Sequence, residues 1–133
     1  MMKKILIFLF SLSLISLSAC SSTKKVELTL TSPLEGAKLE TTQLHIAGSI
    51  SDQDISYFFY QIEDGHSFVG SGKIAIDEGK FDEIVEFSAP SNGNGMVNFY
   101  LDEDHNGTFD EEMDTEKVLH SVSITFDETI VQR

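Results

Sequence analysis

Met96-Val97-Asn98-Phe99-Tyr100-Leu101, then Asp102-Glu103-Asp104-His105-Asn106-Gly107-Thr108-Phe109-Asp110-Glu111-Glu112-Met113-Asp114-Thr115-Glu116, then Val118-Leu119-His120-Ser121-Val122-Ser123-Ile124: how these three pieces join decides the fold. The outer two alternate apolar and polar side chains, which is the period of a strand and not of a helix. The middle piece holds eight of the chain's 22 acidic residues and has one basic neighbour, Lys117. Its polar positions read D-x-D-x-N-G-x-x-D, a spacing that sets oxygens around a calcium ion. Oxygens at loop positions 1, 3, 5 and 9 come from Asp102, Asp104, Asn106 and Asp110. The backbone carbonyl of Thr108 falls at position 7. Gly107 falls at position 6, where the chain must turn through a backbone conformation most residues resist.

The full pattern places a bidentate Glu at position 12, and here that residue is Met113. Glu111, Glu112 and Asp114 stand on either side, and Asp114 completes the candidate metal set. The loop resembles an EF-hand or dockerin-type loop over about a dozen residues. An EF-hand carries a helix on each side, whereas the flanks here are strands, so the expectation is a strand–calcium loop–strand unit. Charge favours an ion, because two carboxylates about 4 Å apart repel by roughly 4 kcal/mol at an effective dielectric of about 20. The plainer alternative is a solvated acidic loop whose Asn106-Gly107 only makes a turn.

Outward from this unit the chain keeps the period of strands. Val26, Leu28 and Leu30 share a face, and Thr31 to Gly36 is punctuated by Pro33 and Gly36 as a turn. Leu44, Ile46, Gly48 and Ile50 alternate with Gln43, His45, Ala47 and Ser49. Tyr57 to Ile62 is apolar on both faces, as a central strand is. Asp64-Gly65 is a hairpin signal. Phe68-Val69 and Lys73 to Ile76 predict two short strands separated by a turn at Ser71-Gly72. Phe81, Val85 and Phe87 align at period two, and Val118, His120, Val122, Ile124 and Phe126 follow the acidic loop on one face.

Seven to eight antiparallel strands with no convincing helix predict an all-β sandwich. The stretch from Leu30 to Gly36, followed by Leu44-His45-Ile46-Ala47-Gly48, resembles the opening of bacterial immunoglobulin-like domains. That resemblance implies an Ig-like or fibronectin-type β-sandwich over residues 26–127, with 128–133 as a C-terminal tail. The chain has no Trp and one Cys, so the core must rest on Phe58, Tyr60, Phe87 and Phe99. The acidic loop then joins the last two strands at one end of the sandwich, where binding loops sit.

The start of the chain is of another kind. Met1-Met2-Lys3-Lys4 is basic, and Ile5 to Leu17 is apolar apart from Ser11, Ser13 and Ser16. This is the pattern of a secretory signal, too short for a comfortable bilayer crossing. Leu17-Ser18-Ala19-Cys20 resembles the bacterial lipobox. The resemblance implies removal of residues 1–19, acylation of Cys20 and a lipidated tether over 20–25, with palmitate among the acyl chains. Cys20 is the only Cys, and acylation accounts for a lone thiol in an exported protein. Several acyl chains hold firmly where one does not. Ser21 stands where an Asp would resemble an inner-membrane retention signal, so in a cell with two membranes the resemblance points to the outer one.

Loss of the signal removes Lys3 and Lys4, leaving seven basic residues against 22 acidic ones and a formal charge of −15. Such a surface argues against nucleic acid. No catalytic constellation stands out. His45, His66, His105 and His120 match no zinc spacing, and no Ser lies in a nucleophile elbow. Glu111 and Glu112 are adjacent, unlike the separated carboxylates of glycoside hydrolysis. The expectation is therefore not an enzyme. Tyr57 and Phe59, on one face of their strand, form a candidate ligand platform for sugar stacking, unless a sheet or loop covers them.

Together these readings predict a membrane-anchored extracytoplasmic lipoprotein of the cell envelope. Its calcium-stabilised domain would be a binding or structural module, with an envelope protein or polysaccharide as partner. The alternatives are an accessory or inhibitor protein docking on a secreted or envelope enzyme, and a carbohydrate-binding module.

Overall fold

The computed structural model describes residues 25–133. The signal segment, Cys20 and the tether up to Lys24 lie outside the described residues. Eight strands form: β1 (Leu28–Ser32), β2 (Ala37–Leu39), β3 (Gln43–Ile50), β4 (Tyr57–Glu63), β5 (Phe68–Ala75), β6 (Lys80–Glu86), β7 (Asn94–Tyr100) and β8 (Val118–Phe126). One helical turn, α1 (Glu111–Asp114), lies between β7 and β8. The strands make two sheets, one in the order β1-β3-β6 and the other β2-β8-β7-β4-β5. This is the all-β sandwich that the alternating pattern predicts.

The inward faces close on one core. Phe58, Ile62, Val97 and Phe99 of the larger sheet meet Leu44, Ile46 and Phe81 of the smaller one, all at most 5% exposed. Phe58 sits edge-on to Phe81 at 4.8 Å and to Phe99 at 5.7 Å, the geometry that aromatic quadrupoles favour. The four aromatic residues expected to anchor the core, Phe58, Tyr60, Phe87 and Phe99, are all buried. With burial this complete, truncating Phe58 or Phe99 to Ala costs about 3–5 kcal/mol.

Three details depart from the sequence expectation. The strands are not all antiparallel, because β2, which the pattern did not disclose, pairs parallel with β8. Phe68 to Ala75 is one strand and not two, and no turn forms at Ser71-Gly72. Gly72 pairs with Tyr60 inside the ladder, and a Cβ there would lie 2.9 Å from the Tyr60 hydroxyl. The glycine therefore makes room for a ring and does not bend the chain. Residues 128–133, expected as a tail, fold back so that Ile130 and Val131 pack on the core, and the Gln132 N–H donates to the Pro90 carbonyl at 2.8 Å.

Asp64 fastens the β4–β5 turn. It is 1% exposed, and Oδ1 accepts from the backbone N–H of His66 (3.0 Å) and Ser67 (2.8 Å). Oδ2 accepts from the Ser91 N–H (2.7 Å) and hydroxyl (2.8 Å), which ties this turn to the β6–β7 connection. The hydrogen bond from the Ser91 backbone leads those that hold the carboxyl well below the usual carboxylate range, against the opposing effect of burial.

Candidate metal centre

The acidic connection leaves the end of β7 and folds over the outer face of the larger sheet. Phe109 sets its ring against Phe59 of β4 at 5.3 Å and Tyr100 of β7 at 5.8 Å. Gln61 Nε2 donates to Glu111 Oε1 at 3.3 Å. This is why β4 is apolar on both faces: one faces the core, and the other is roofed by the loop. Phe59 is 1% exposed under that roof. The proposed sugar platform of Tyr57 and Phe59 is thereby corrected, since Phe59 presents no open face for stacking.

Tyr57 is half-buried and has a different role. Its hydroxyl donates to Asp102 Oδ2, which also accepts the Gly107 N–H at 2.7 Å. Gly107 has φ 77°, so the tight return that the loop needs falls on the residue that can make it. His105, with φ 55°, makes a second left-handed step and is exposed. Lys73 of β5 lies 4.4 Å from the centre of the Tyr57 ring.

Three carboxylates converge. Ligand atoms of Asp102, Asp104 and Asp114 lie within 4.8 Å of one another. Asp114 is completely buried, and its oxygens accept the Glu103 N–H (3.0 Å) and the Asp110 N–H (2.7 Å). Asp104 is exposed and accepts from Asn106 N–H (3.3 Å) and Nδ2 (2.8 Å). Asp102 is 7% exposed, and its Oδ1 is buried without a hydrogen-bond partner among the described residues. A buried carboxylate oxygen with no donor is costly unless another positive group meets it.

The carboxylates also perturb one another. Burial pushes Asp102 up, but the hydrogen bonds from Tyr57 and the loop backbone outweigh it and hold the group below the usual range. Asp104 is pushed up, first by the closeness of the Asp102 carboxylate and then by burial. Tyr57 is raised, first by its hydrogen bond to the same carboxylate. A neighbouring like charge disfavours ionising the second of two close carboxyls.

The other expected ligands are placed differently. Asp110 is not among the converging carboxylates: its Oδ1 caps α1 by accepting the Glu112 N–H at 2.9 Å. Capping draws it off because the first N–H groups of a helix have no partner inside the helix. Asn106 Oδ1 accepts the Thr108 N–H at 2.8 Å, which shapes the turn from inside. Asp114, one residue beyond the usual last ligand position, is the third converging carboxylate, and Met113 points outward at 51% exposure. The sequence reading missed the part of Tyr57 in orienting Asp102 and that of Phe109 in docking the loop. A lone aromatic in an otherwise polar run was the available signal for Phe109. Nothing local to Tyr57 indicates a partner 45 residues away.

The chain is thus a β-sandwich domain with a cluster of three carboxylates, oxygen ligands of the kind hard cations take, that can hold a metal ion. No family model matches it, and no curated protein does. Five solved chains match. One is an engineered protein with a crystal structure at 1.98 Å, 14% identical over 77% of this chain, with a TM-score of 0.52. This chain covers 20% of that longer one, and the likeness concerns the fold alone.

Proposed function

We propose that the protein is an extracytoplasmic, lipid-anchored binding or structural module of the cell envelope, with an immunoglobulin-like domain braced by calcium. The observation that carries the metal part is Asp102 Oδ1, buried and unpartnered beside Asp104 and Asp114. Calcium suits an all-oxygen site on an irregular loop better than magnesium, which demands a near-ideal octahedron. The Thr108 carbonyl, at loop position 7, would complete the sphere together with water. Such an ion pins the loop, the loop roofs β4, and the outer face of the sheet stays dry around Phe59. The anchor rests on the lipobox resemblance at Leu17-Ser18-Ala19-Cys20.

Terbium, a luminescent stand-in for calcium, tests the site. Exciting the tyrosines is expected to sensitise its emission through Tyr57, calcium is expected to quench that emission by displacement, and Asp104→Asn is expected to abolish it. Emission that survives Asp104→Asn would remove the metal reading. Labelled palmitate is expected to enter the chain in growing bacteria and to be lost on Cys20→Ala; incorporation without Cys20 would remove the anchor.

A further inference from the structure

The chain has four asparagines, and three of them, Asn92, Asn94 and Asn106, precede a glycine. Asn-Gly is a chemically labile pair. The glycine nitrogen can attack the side-chain amide carbon of the asparagine, because no Cβ on the glycine hinders the approach and its backbone turns freely. The attack needs an unengaged N–H and a side chain free to swing over it. The three pairs differ in this respect.

At Asn106 both partners are held. The Gly107 N–H donates to Asp102 Oδ2 at 2.7 Å, Asn106 Oδ1 accepts the Thr108 N–H at 2.8 Å, and Nδ2 donates to Asp104 Oδ2 at 2.8 Å. At Asn94 the glycine is enclosed. Gly95 pairs with Ile124 in the β7–β8 ladder, and a Cβ there would lie 2.4 Å from the Glu63 carbonyl oxygen and 2.5 Å from the Phe126 ring. The Phe126 N–H donates to the Gly93 carbonyl at 2.8 Å, so the alternation of an antiparallel ladder makes Gly95 and Ile124 the next hydrogen-bonded pair. Asn92 has neither restraint. Asn92 and Gly93 lie half-buried in the β6–β7 connection. Among the described residues neither the Asn92 side-chain amide nor the Gly93 N–H makes a hydrogen bond. A Cβ at Gly93 would meet nothing nearer than the Phe126 carbonyl oxygen, at 3.9 Å, so the space beside the attacking nitrogen is open.

We infer that Asn92 is a site of spontaneous covalent modification in the folded protein, deamidating through a cyclic imide to aspartate and isoaspartate, while the fold shields Asn94 and Asn106 from the same chemistry. The Gly93 nitrogen gives up its proton and bonds to Asn92 Cγ. The Cγ–Nδ2 bond breaks, and Nδ2 leaves with a proton as ammonia. Water then adds to either carbonyl of the imide ring and opens it; nothing is oxidised or reduced. Either product adds a carboxylate, and isoaspartate also routes the backbone through the side-chain methylene. That extra atom falls between Ser91, whose N–H and hydroxyl hold Asp64, and Gly93, whose carbonyl holds the Phe126 N–H. The clasp between the β4–β5 turn and the β6–β7 connection is the contact it slackens. The step uses neither the ion nor the lipid, so its failure leaves the proposed function standing.

The test keeps the full chain in a nonionic detergent at mildly alkaline pH, folded in one arm and in urea in the other. Peptides are then read by mass spectrometry with fragmentation that separates aspartate from isoaspartate. In the folded arm, conversion at Asn92 is expected to outpace that at Asn94 and Asn106 roughly tenfold or more, since those two react only from locally opened states. In urea the three are expected to convert at similar rates. Gly93→Ala is expected to suppress conversion at Asn92 in both arms, and no left-handed φ at Gly93 opposes that substitution. Equal rates at the three sites in the folded arm would overturn the inference. So would an Asn92 that converts in urea but not when folded, or a Gly93→Ala chain that converts as fast as the wild type.

Discussion

The hydroxyl of Tyr57, at the start of β4, donates to Asp102 Oδ2, at the mouth of the acidic loop 45 residues further on. With the Gly107 N–H it occupies one oxygen of that carboxylate. The other oxygen is left buried, without a hydrogen-bond partner among the described residues and next to Asp104 and Asp114. A sheet residue thus sets the orientation of a loop carboxylate, and the loop in return covers the sheet.

Calcium should stabilise the domain by linkage. At free calcium about ten times the dissociation constant the gain is roughly 1.4 kcal/mol, a rise in melting temperature of roughly 5 °C for a domain of this size. Calorimetry in calcium and in EDTA measures it. Asp104→Ala is expected to bring the two curves together, and magnesium at equal concentration to give a smaller rise.

Tyr57→Phe keeps the ring that Lys73 covers and removes only the hydroxyl. Partners that orient a metal ligand typically contribute 10- to 100-fold in affinity, so calcium binding should weaken roughly tenfold. A calcium titration followed by calorimetry reports it. An unchanged dissociation constant would mean that the Gly107 N–H alone suffices to orient Asp102.

Phe109→Ala removes the ring that rests on Phe59 and Tyr100. Since Phe109 is only half-buried, the loss should fall short of the about 3–5 kcal/mol of a core Phe and lie near 2 kcal/mol. Hydrogen exchange should quicken in the loop and on the outer face of β4, while Val97 and Phe99 at the core keep their protection. Uniform loss of protection across both sheets would show that the loop is part of the global folding unit.

Asp64 gives the domain an acid limit. Its folded-state pKa lies below the ordinary value of 3.8, so the folded chain binds its proton less readily than the unfolded chain. The stability it contributes is therefore complete above that ordinary value and is lost as pH falls below it toward the folded value. Asp64→Asn should cost about 2–3 kcal/mol at neutral pH, because an amide NH₂ would face N–H donors. Its stability should also decline less steeply than the wild type's below about pH 4. Urea unfolding at a series of pH values checks both; parallel curves would assign the acid sensitivity to other carboxylates.

Strand periodicity carried most of the architecture, because a strand that buries one face has period two imposed on its residues, and β4, buried on both, reads instead as a continuous apolar run. It failed at β2 and β5 for physical reasons. Three residues, Ala37–Leu39, are too few to show a period, and their pairing with β8 is decided by a neighbour 87 residues away. In β5, Gly70 and Gly72 imitate a turn although their role is to leave space beside Phe87 and Tyr60.

By itself the sequence determined that this is a two-faced strand protein with a dense run of carboxylates before its last strand. Hydrophobic alternation and the spacing of Asp102, Asp104 and Gly107 are local properties, written in consecutive residues. Which carboxylates meet was decided only by the tertiary structure. Asp110 is claimed by the first turn of α1, Asp114 turns inward past Met113, and Tyr57 arrives from another strand to hold Asp102. The fate of the aromatic face of β4 was decided in the same way. Phe59 is covered because the acidic loop folds back over it, a contact between distant segments that no local pattern encodes.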